Sequence, residues 1–348
     1  MKAAIGTYTQ RTKSEGIYVI DIDPEKQVSR IVTSIPCINP SFLYFNRTAS
    51  VLYAVQEVIS ADAALLAFSV SAEGTTFRQA TNQPVHGSAP CHISLSPDGK
   101  LLIVSNYMSG NFVCYSINER GLPDRLQSNY RFDAKSIHPT RQKQSHIHSA
   151  FFTPDSRNVF IQDLGGDLIY QAEASKLYND NTPLQTFRQE AGAGPRHICF
   201  LKHVPIVYVL NELQGTIDVC TLDQRSFIQA PVQKISLNPE NADAGADLGA
   251  HIQLSSDDRF LYATNRGERN AISVYAVTPD YSLELIQNIP AGGKGPRFFA
   301  SSPDDQWLFV TNQYTDSLNI FKRDFANGML TPSAMQIEIP SPVCLSFL

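Results

Sequence analysis

Short apolar runs of five to eight residues, alternating in polarity with period two and rich in Val, Ile, Tyr and Phe, recur along the whole chain. Pro-Asp-Gly or Asp-Asp turns separate them. The pattern predicts β-strands throughout, because a helix would need 3.6-residue periodicity over a longer stretch. Only the stretch from Glu173 to Tyr178 reads as a short helix.

The runs belong to a repeated phrase: a small residue or Gly, often Pro, a short apolar strand, a polar turn, then a strongly apolar strand ending in a polar residue. It occurs as NPSFLYFNRTASVLYAVQE from Asn39, APCHISLSPDGKLLIVSNY from Ala89 and SHIHSAFFTPDSRNVFIQDL from Ser145. It returns as GPRHICFLKHVPIVYVLNEL from Gly194, GAHIQLSSDDRFLYATNRG from Gly249 and GPRFFASSPDDQWLFVTNQ from Gly295. Copies begin roughly 45 to 57 residues apart, the period of a four-stranded propeller blade. A last fragment, SPVCLSFL from Ser341, supplies one strand. The N-terminus starts mid-phrase, with AAIGTY as a second strand, GIYVIDI as a third and SRIVTSI as a fourth. The expectation is an all-β, seven-bladed β-propeller of four-stranded blades, a single domain over residues 1–348, its ring closed by one C-terminal and three N-terminal strands. Such closure removes two open sheet edges.

With 43% hydrophobic and 18% charged residues in 348, the chain has material for a full core and too little charge for disorder. A net charge of −5 without a Lys/Arg cluster argues against nucleic acid as a partner. No apolar run reaches about 18 residues, and Met1 to Gln10 reads as a strand, so no membrane partner is expected and a cytoplasmic setting is. The six cysteines are far apart and form no CxxC pair; they read as small core residues. The sequon Asn46-Arg47-Thr48 is taken as chance. Oligomeric state is left open.

In a propeller the first two strands of each blade run antiparallel nearest the axis, so the start of one and the end of the next meet at one mouth of the funnel. Counting pairs Ser41 with Glu57, Cys91 with Tyr107, His148 with Leu164, Arg196 with Glu212, Ala250 with Arg266 and Arg297 with Gln313, each 16 apart. The closing blade adds Val343 and Tyr8. The count gathers His148, Arg196, Glu212, Arg266, Arg297 and Glu57 around a locally positive cup suited to a small anionic metabolite. The alternative is a wet funnel whose polar side chains satisfy one another and ordered water, with Arg196 and Glu212 a structural ion pair and Glu57 a rim residue.

His146 and His148 fall on one face of a strand at a spacing compatible with a metal, but no third ligand stands at the expected spacing, and no metal is assigned. His92, His197 and His251 lie one position beyond the ring, so alternation turns them to the other face as hydrogen-bonded blade histidines. Cys91 lies on the ring; small-residue packing is favoured over a nucleophile, for want of a neighbouring base. The loop from Pro239 to Asp247, with Glu240 and Asp243, reads as a solvated insertion, with calcium binding the second reading. Serine-hydrolase elbows, P-loops and dinucleotide fingerprints have no match in the right context.

The phrases GAGPRH (Gly192 to His197), NEL (Asn211 to Leu213), HSAFFTPD (His148 to Asp155) and HIQLSSDDRFLYATNR (His251 to Arg266) resemble the seven-bladed propeller lactonase family. That family includes bacterial propeller-type 6-phosphogluconolactonases and fungal carboxy-muconate lactonizing enzymes. The resemblance covers essentially the whole chain, GAGPRH followed by NEL being its most specific part.

It implies an active-site set of His148, Arg196, Glu212 and Arg266; the ring count adds Arg297, Glu57 and Tyr107, and the His-Ile-His face adds His146, as substrate-binding candidates. The implied activity is hydrolysis of a phosphorylated sugar lactone, without cofactor or metal. His148 would act as base and Arg196 would stabilise the oxyanion. Glu212 would orient Arg196 or serve as a proton partner, and Arg266 with Arg297 would hold the phosphate. A muconate-type lactonizing cycloisomerase, gripping carboxylates with the same arginines, and a non-enzymatic propeller binding small anions or proteins are the alternatives.

Overall fold

A computed structural model describes residues 1–178, 183–238 and 247–348. Among them lie seven four-stranded antiparallel sheets, each built from strands consecutive in sequence except one. In that sheet the order is Pro342–Phe347, Lys2–Thr7, Gly16–Asp23 and Val28–Pro36, one C-terminal strand followed by three N-terminal ones. The expected helical stretch is a short 3-10 turn, Ala174–Tyr178.

Two compact units divide the described chain. The first comprises Met1–Ile22, Arg30–Gly192 and Ser346–Leu348; the second, Asp23–Ser29 and Ala193–Leu345. In the first, the sheets starting at Leu43, Pro90 and Ile147 follow one another. In the second, the sheets starting at Pro195, Asp247 and Pro296 do the same.

The second strand of each sheet explains the strongest apolar runs. Leu101–Asn106, Asn158–Asp163, Ile206–Asn211 and Trp307–Asn312 are buried at every position. Fourth strands such as Phe77–Pro84 alternate polar and half-buried residues at the solvent edge. The cores lie between sheets. Within the first unit, Leu101, Ile103 and Phe112 pack on Ile147, Val159 and Ile161. Within the second, Tyr208 and Leu210 pack on Leu261 and Ala263. Burial of such side chains contributes about 1.5–3 kcal/mol each.

In four sheets the turn between first and second strands is one motif. Ser96 Oγ donates to Asp98 Oδ1 (2.6 Å) and Thr153 Oγ1 to Asp155 Oδ1 (2.7 Å), with Ser255–Asp257 and Ser302–Asp304 repeating the bond. The residue after each aspartate is left-handed: Gly99, Ser156, Asp258 and Asp305, with φ between 57° and 71°. The recurring Asp-Gly and Asp-Asp phrases thus encode a side-chain-closed turn.

Candidate active site

Five inner strands carry a bulge where the sequence count put the ring. Pro195 lies opposite Asn211 and His197 opposite Leu210, which leaves Arg196 without a residue across from it. Cys91, His148 and Arg297 are excluded from their ladders in the same way. In the fifth, Gly249 faces Asn265 and Ile252 faces Ala263, so Ala250 and His251 share the bulge. A bulge bends the strand and re-aims the extra side chain.

The bulges correct the sequence arithmetic. Residues 16 apart are diagonal neighbours and not ladder partners: the Glu212 N–H donates to the Gly194 carbonyl (2.7 Å), and Arg266 pairs with Leu248. Glu57, Tyr107 and Gln313 likewise donate to the carbonyls of Asn39, Ala89 and Gly295. All four accepting residues are left-handed, with φ of 66° at Gly194 and 70° at Gly295, which is why the phrase reads Gly-Pro-Arg.

In the second unit Arg196, Glu212 and Arg266 are brought together. Arg196 Nε and Arg266 Nη2 each lie 2.9 Å from the same Glu212 oxygen, Oε2. Glu212 is fully buried and Arg196 nearly so, and Arg196 Nη1 also donates to the Ala250 carbonyl. Two guanidiniums on one carboxylate leave the cluster cationic, and charge-assisted bonds fix its geometry. Such a cluster can bind an anion or stabilise an oxyanion.

Alternation placed His197 away from Arg196; the structure puts its ring against the guanidinium, with Nε2 3.2 Å from Nη1, because the bulge interrupts the period. His197 Nδ1 lies 2.8 Å from His251 Nδ1, and His251 stacks on Phe298 at 4.1 Å. Arg297, half-buried, is the bulged residue next to Phe298. Asp247 is buried and bonded to Asn238 Nδ2 (3.2 Å) and the Arg269 N–H (2.9 Å). Glu240 and Asp243 of the calcium reading lie outside the described residues.

In the first unit Tyr107 is the hub. Its ring stacks on His146 (centroids 4.3 Å apart) and meets His148 edge-on (5.8 Å). His146 Nδ1 lies 2.9 Å from the Tyr107 carbonyl oxygen, and the His146 N–H donates to Asp163 Oδ1 (2.8 Å). Burial pushes the Asp163 carboxyl above the usual carboxylate range, against the bonds it accepts from His146, Gly166 and Tyr170. Cys91 Sγ points at the His148 carbonyl oxygen, 3.2 Å away, which suits a packing role. Among the described residues no three His, Cys, Asp or Glu side chains converge as a metal site needs.

Glu57 accepts a bond from the Tyr8 hydroxyl (2.9 Å), and Asn39 clasps the same segments, taking the N–H groups of Thr9 and Gln10 while donating to the Glu57 carbonyl. His92 lies between Phe42 and Phe151, with centroids 4.3 and 4.9 Å away. Sequence reasoning missed Arg141, whose Nε and Nη2 donate to the Tyr107 hydroxyl (3.3 and 3.1 Å). Its signal was the long interval between the strands Pro123–Arg131 and Ile147–Phe152. Buried Gln142 anchors that segment by donating to the Leu164 carbonyl (2.9 Å) and Asp167 Oδ1 (2.6 Å).

Among the described residues no helix is long and apolar enough to cross a membrane. The chain is 29% identical to a 6-phosphogluconolactonase of Bacillus subtilis, covering 99% of this chain and 97% of that one. A 6-phosphogluconolactonase of Formosa agariphila is also 29% identical, with 96% of each chain covered. The fold superposes on the periplasmic gluconolactonase of Pseudomonas aeruginosa with a TM-score of 0.92 at 27% identity, covering 100% of this chain and 98% of that one. The family model described as "Lactonase, 7-bladed beta-propeller" matches residues 2–347, and the chain belongs to that family.

Proposed function

We propose that the protein hydrolyses 6-phosphogluconolactone to 6-phosphogluconate. Membership of the lactonase family makes it a lactone-hydrolysing enzyme, and the names of the Bacillus subtilis and Formosa agariphila relatives support the phosphorylated substrate. The observation that carries the reading is the buried Arg196–Glu212–Arg266 cluster, whose charge suits an anion and whose rigidity suits a developing oxyanion.

Water adds to the lactone carbonyl while His148 takes its proton. Arg196 donates to the tetrahedral oxyanion. On collapse the ring C–O bond breaks and the proton passes to the departing ring oxygen, giving the open acid. Glu212 spends Oε2 on two guanidiniums, which supports an orienting role over that of proton partner. Arg266 and Arg297 hold the phosphate; Tyr107, His146 and Glu57 are further substrate contacts. No step needs a metal or cofactor. All six cysteines are thiols, which supports a cytoplasmic setting.

The test is 6-phosphogluconate formation, net of spontaneous opening in buffer. Wild type should exceed the buffer rate and Arg196→Ala should lose on the order of 10²-fold or more in kcat. A wild-type rate equal to buffer overturns the reading, and preference for unphosphorylated gluconolactone replaces its substrate.

A further inference from the structure

In the second unit a directed chain of rings leads into Arg196 from outside the family set. Arg196 Nη1 lies 3.2 Å from His197 Nε2 and 3.4 Å from His197 Nδ1. His197 Nδ1 lies 2.8 Å from His251 Nδ1, the two rings standing at 87°. His251 is held in turn by stacking on Phe298 at 4.1 Å, by an edge contact with Phe299 at 4.9 Å, and by its backbone N–H on Thr264 Oγ1 at 3.2 Å. Both histidines are buried.

Two imidazole nitrogens at hydrogen-bond distance need one donor and one acceptor, so the rings share a single proton along that line. The guanidinium beside His197 is always cationic, and a positive His197 there would place like charges in contact. His197 is therefore held neutral, and with Nη1 almost equidistant from its two nitrogens the guanidinium packs over the face of the ring.

Resting on the reading of Arg196 as the oxyanion donor, we propose that His197 and His251 are positioning residues, a neutral imidazole pair that sets the plane of the Arg196 guanidinium. Glu212 and the Ala250 carbonyl hold two of its nitrogens. The His197 ring, itself fixed by His251, closes the remaining direction of swing. An oxyanion donor acts only when aimed in advance, and a displacement of about 1 Å costs on the order of 10²-fold in rate.

Nitrogen-15 spectra of the wild-type imidazoles give the first readout. They should show one protonated and one bare nitrogen on each of His197 and His251; an imidazolium at either position overturns the proposal. In the assay, His251→Phe keeps the ring stack but no partner for His197 Nδ1, and kcat should fall about 10- to 100-fold with KM within about threefold. His251→Asn, whose side-chain amide again offers His197 a hydrogen bond, should recover kcat to within about threefold of wild type. Wild-type kcat in His251→Phe, or His251→Asn as impaired as His251→Phe, overturns it. Should wild type open no lactone, the functional reading fails by itself. Positioning is then decided by solvent exchange of the Arg196 Nε–H, which should quicken at least about tenfold in His251→Phe and not in His251→Asn. Unchanged exchange in His251→Phe overturns it.

Discussion

Arg196 and Arg266, from two different sheets, converge on a single oxygen of Glu212, each with a nitrogen 2.9 Å away. The carboxylate holds two cations in fixed relation and is fully buried. Removing it leaves both guanidiniums facing each other in a low-dielectric setting. Glu212→Ala should lower stability by about 3–5 kcal/mol in urea unfolding. Glu212→Gln, which keeps an acceptor, should fold better and still lose on the order of 10²-fold in kcat/KM.

If Arg297 anchors the phosphate, its loss should be felt only by substrates that carry one. Arg297→Ala should raise KM for 6-phosphogluconolactone about 10- to 100-fold, the worth of one charged hydrogen bond, and leave gluconolactone within about twofold. Equal effects on both substrates would remove Arg297 from the phosphate site.

His148 and Cys91 touch, yet their replacements should differ widely. His148→Ala should cost about 10²- to 10⁴-fold in kcat, as loss of a general base does. Cys91→Ser keeps a donor for the His148 carbonyl and should stay within a few-fold of wild type. An inactive, folded Cys91→Ser would reopen the nucleophile reading.

Gly194 has φ of 66°, and a Cβ there would stand 2.6 Å from the Leu213 side chain. Gly194→Ala should destabilise by about 1–3 kcal/mol, from the left-handed backbone and the displaced leucine. Because the Gly194 carbonyl accepts the Glu212 N–H, kcat should fall with stability, unlike at Gly99, where a Cβ meets nothing within 4 Å.

Asp163 gives a pH signature. Burial raises its carboxyl above the ordinary range, so the folded state binds more protons than the unfolded one between the unfolded value, about 3.9, and the raised folded one. Its contribution therefore falls as pH rises through that window. The stability of wild type relative to Asp163→Asn should improve on acidification, read from urea midpoints over a pH series. A gain of wild type on alkalinisation would contradict it.

The strands, their grouping and the assembly of the terminal sheet were legible because alternation, turn residues and a long repeat are all written locally. The bulges were not: an extra residue at Arg196 or His148 leaves every apolar position in place and shifts only the pairing. Hence the count found the right residues and the wrong partners, and it misdirected His197. Arg141 lay beyond any pattern, since a loop side chain is placed by what anchors the loop, here Gln142.

A residue that takes no part in its ladder can be exchanged without disturbing the strands beside it. Cys91, His148, Arg196 and Arg297 occupy equivalent sockets of that kind, and their chemistry differs in nearly every sheet. The scaffold thereby separates strand pairing from reactivity: a plug can change its chemistry while the ladder on either side keeps its register.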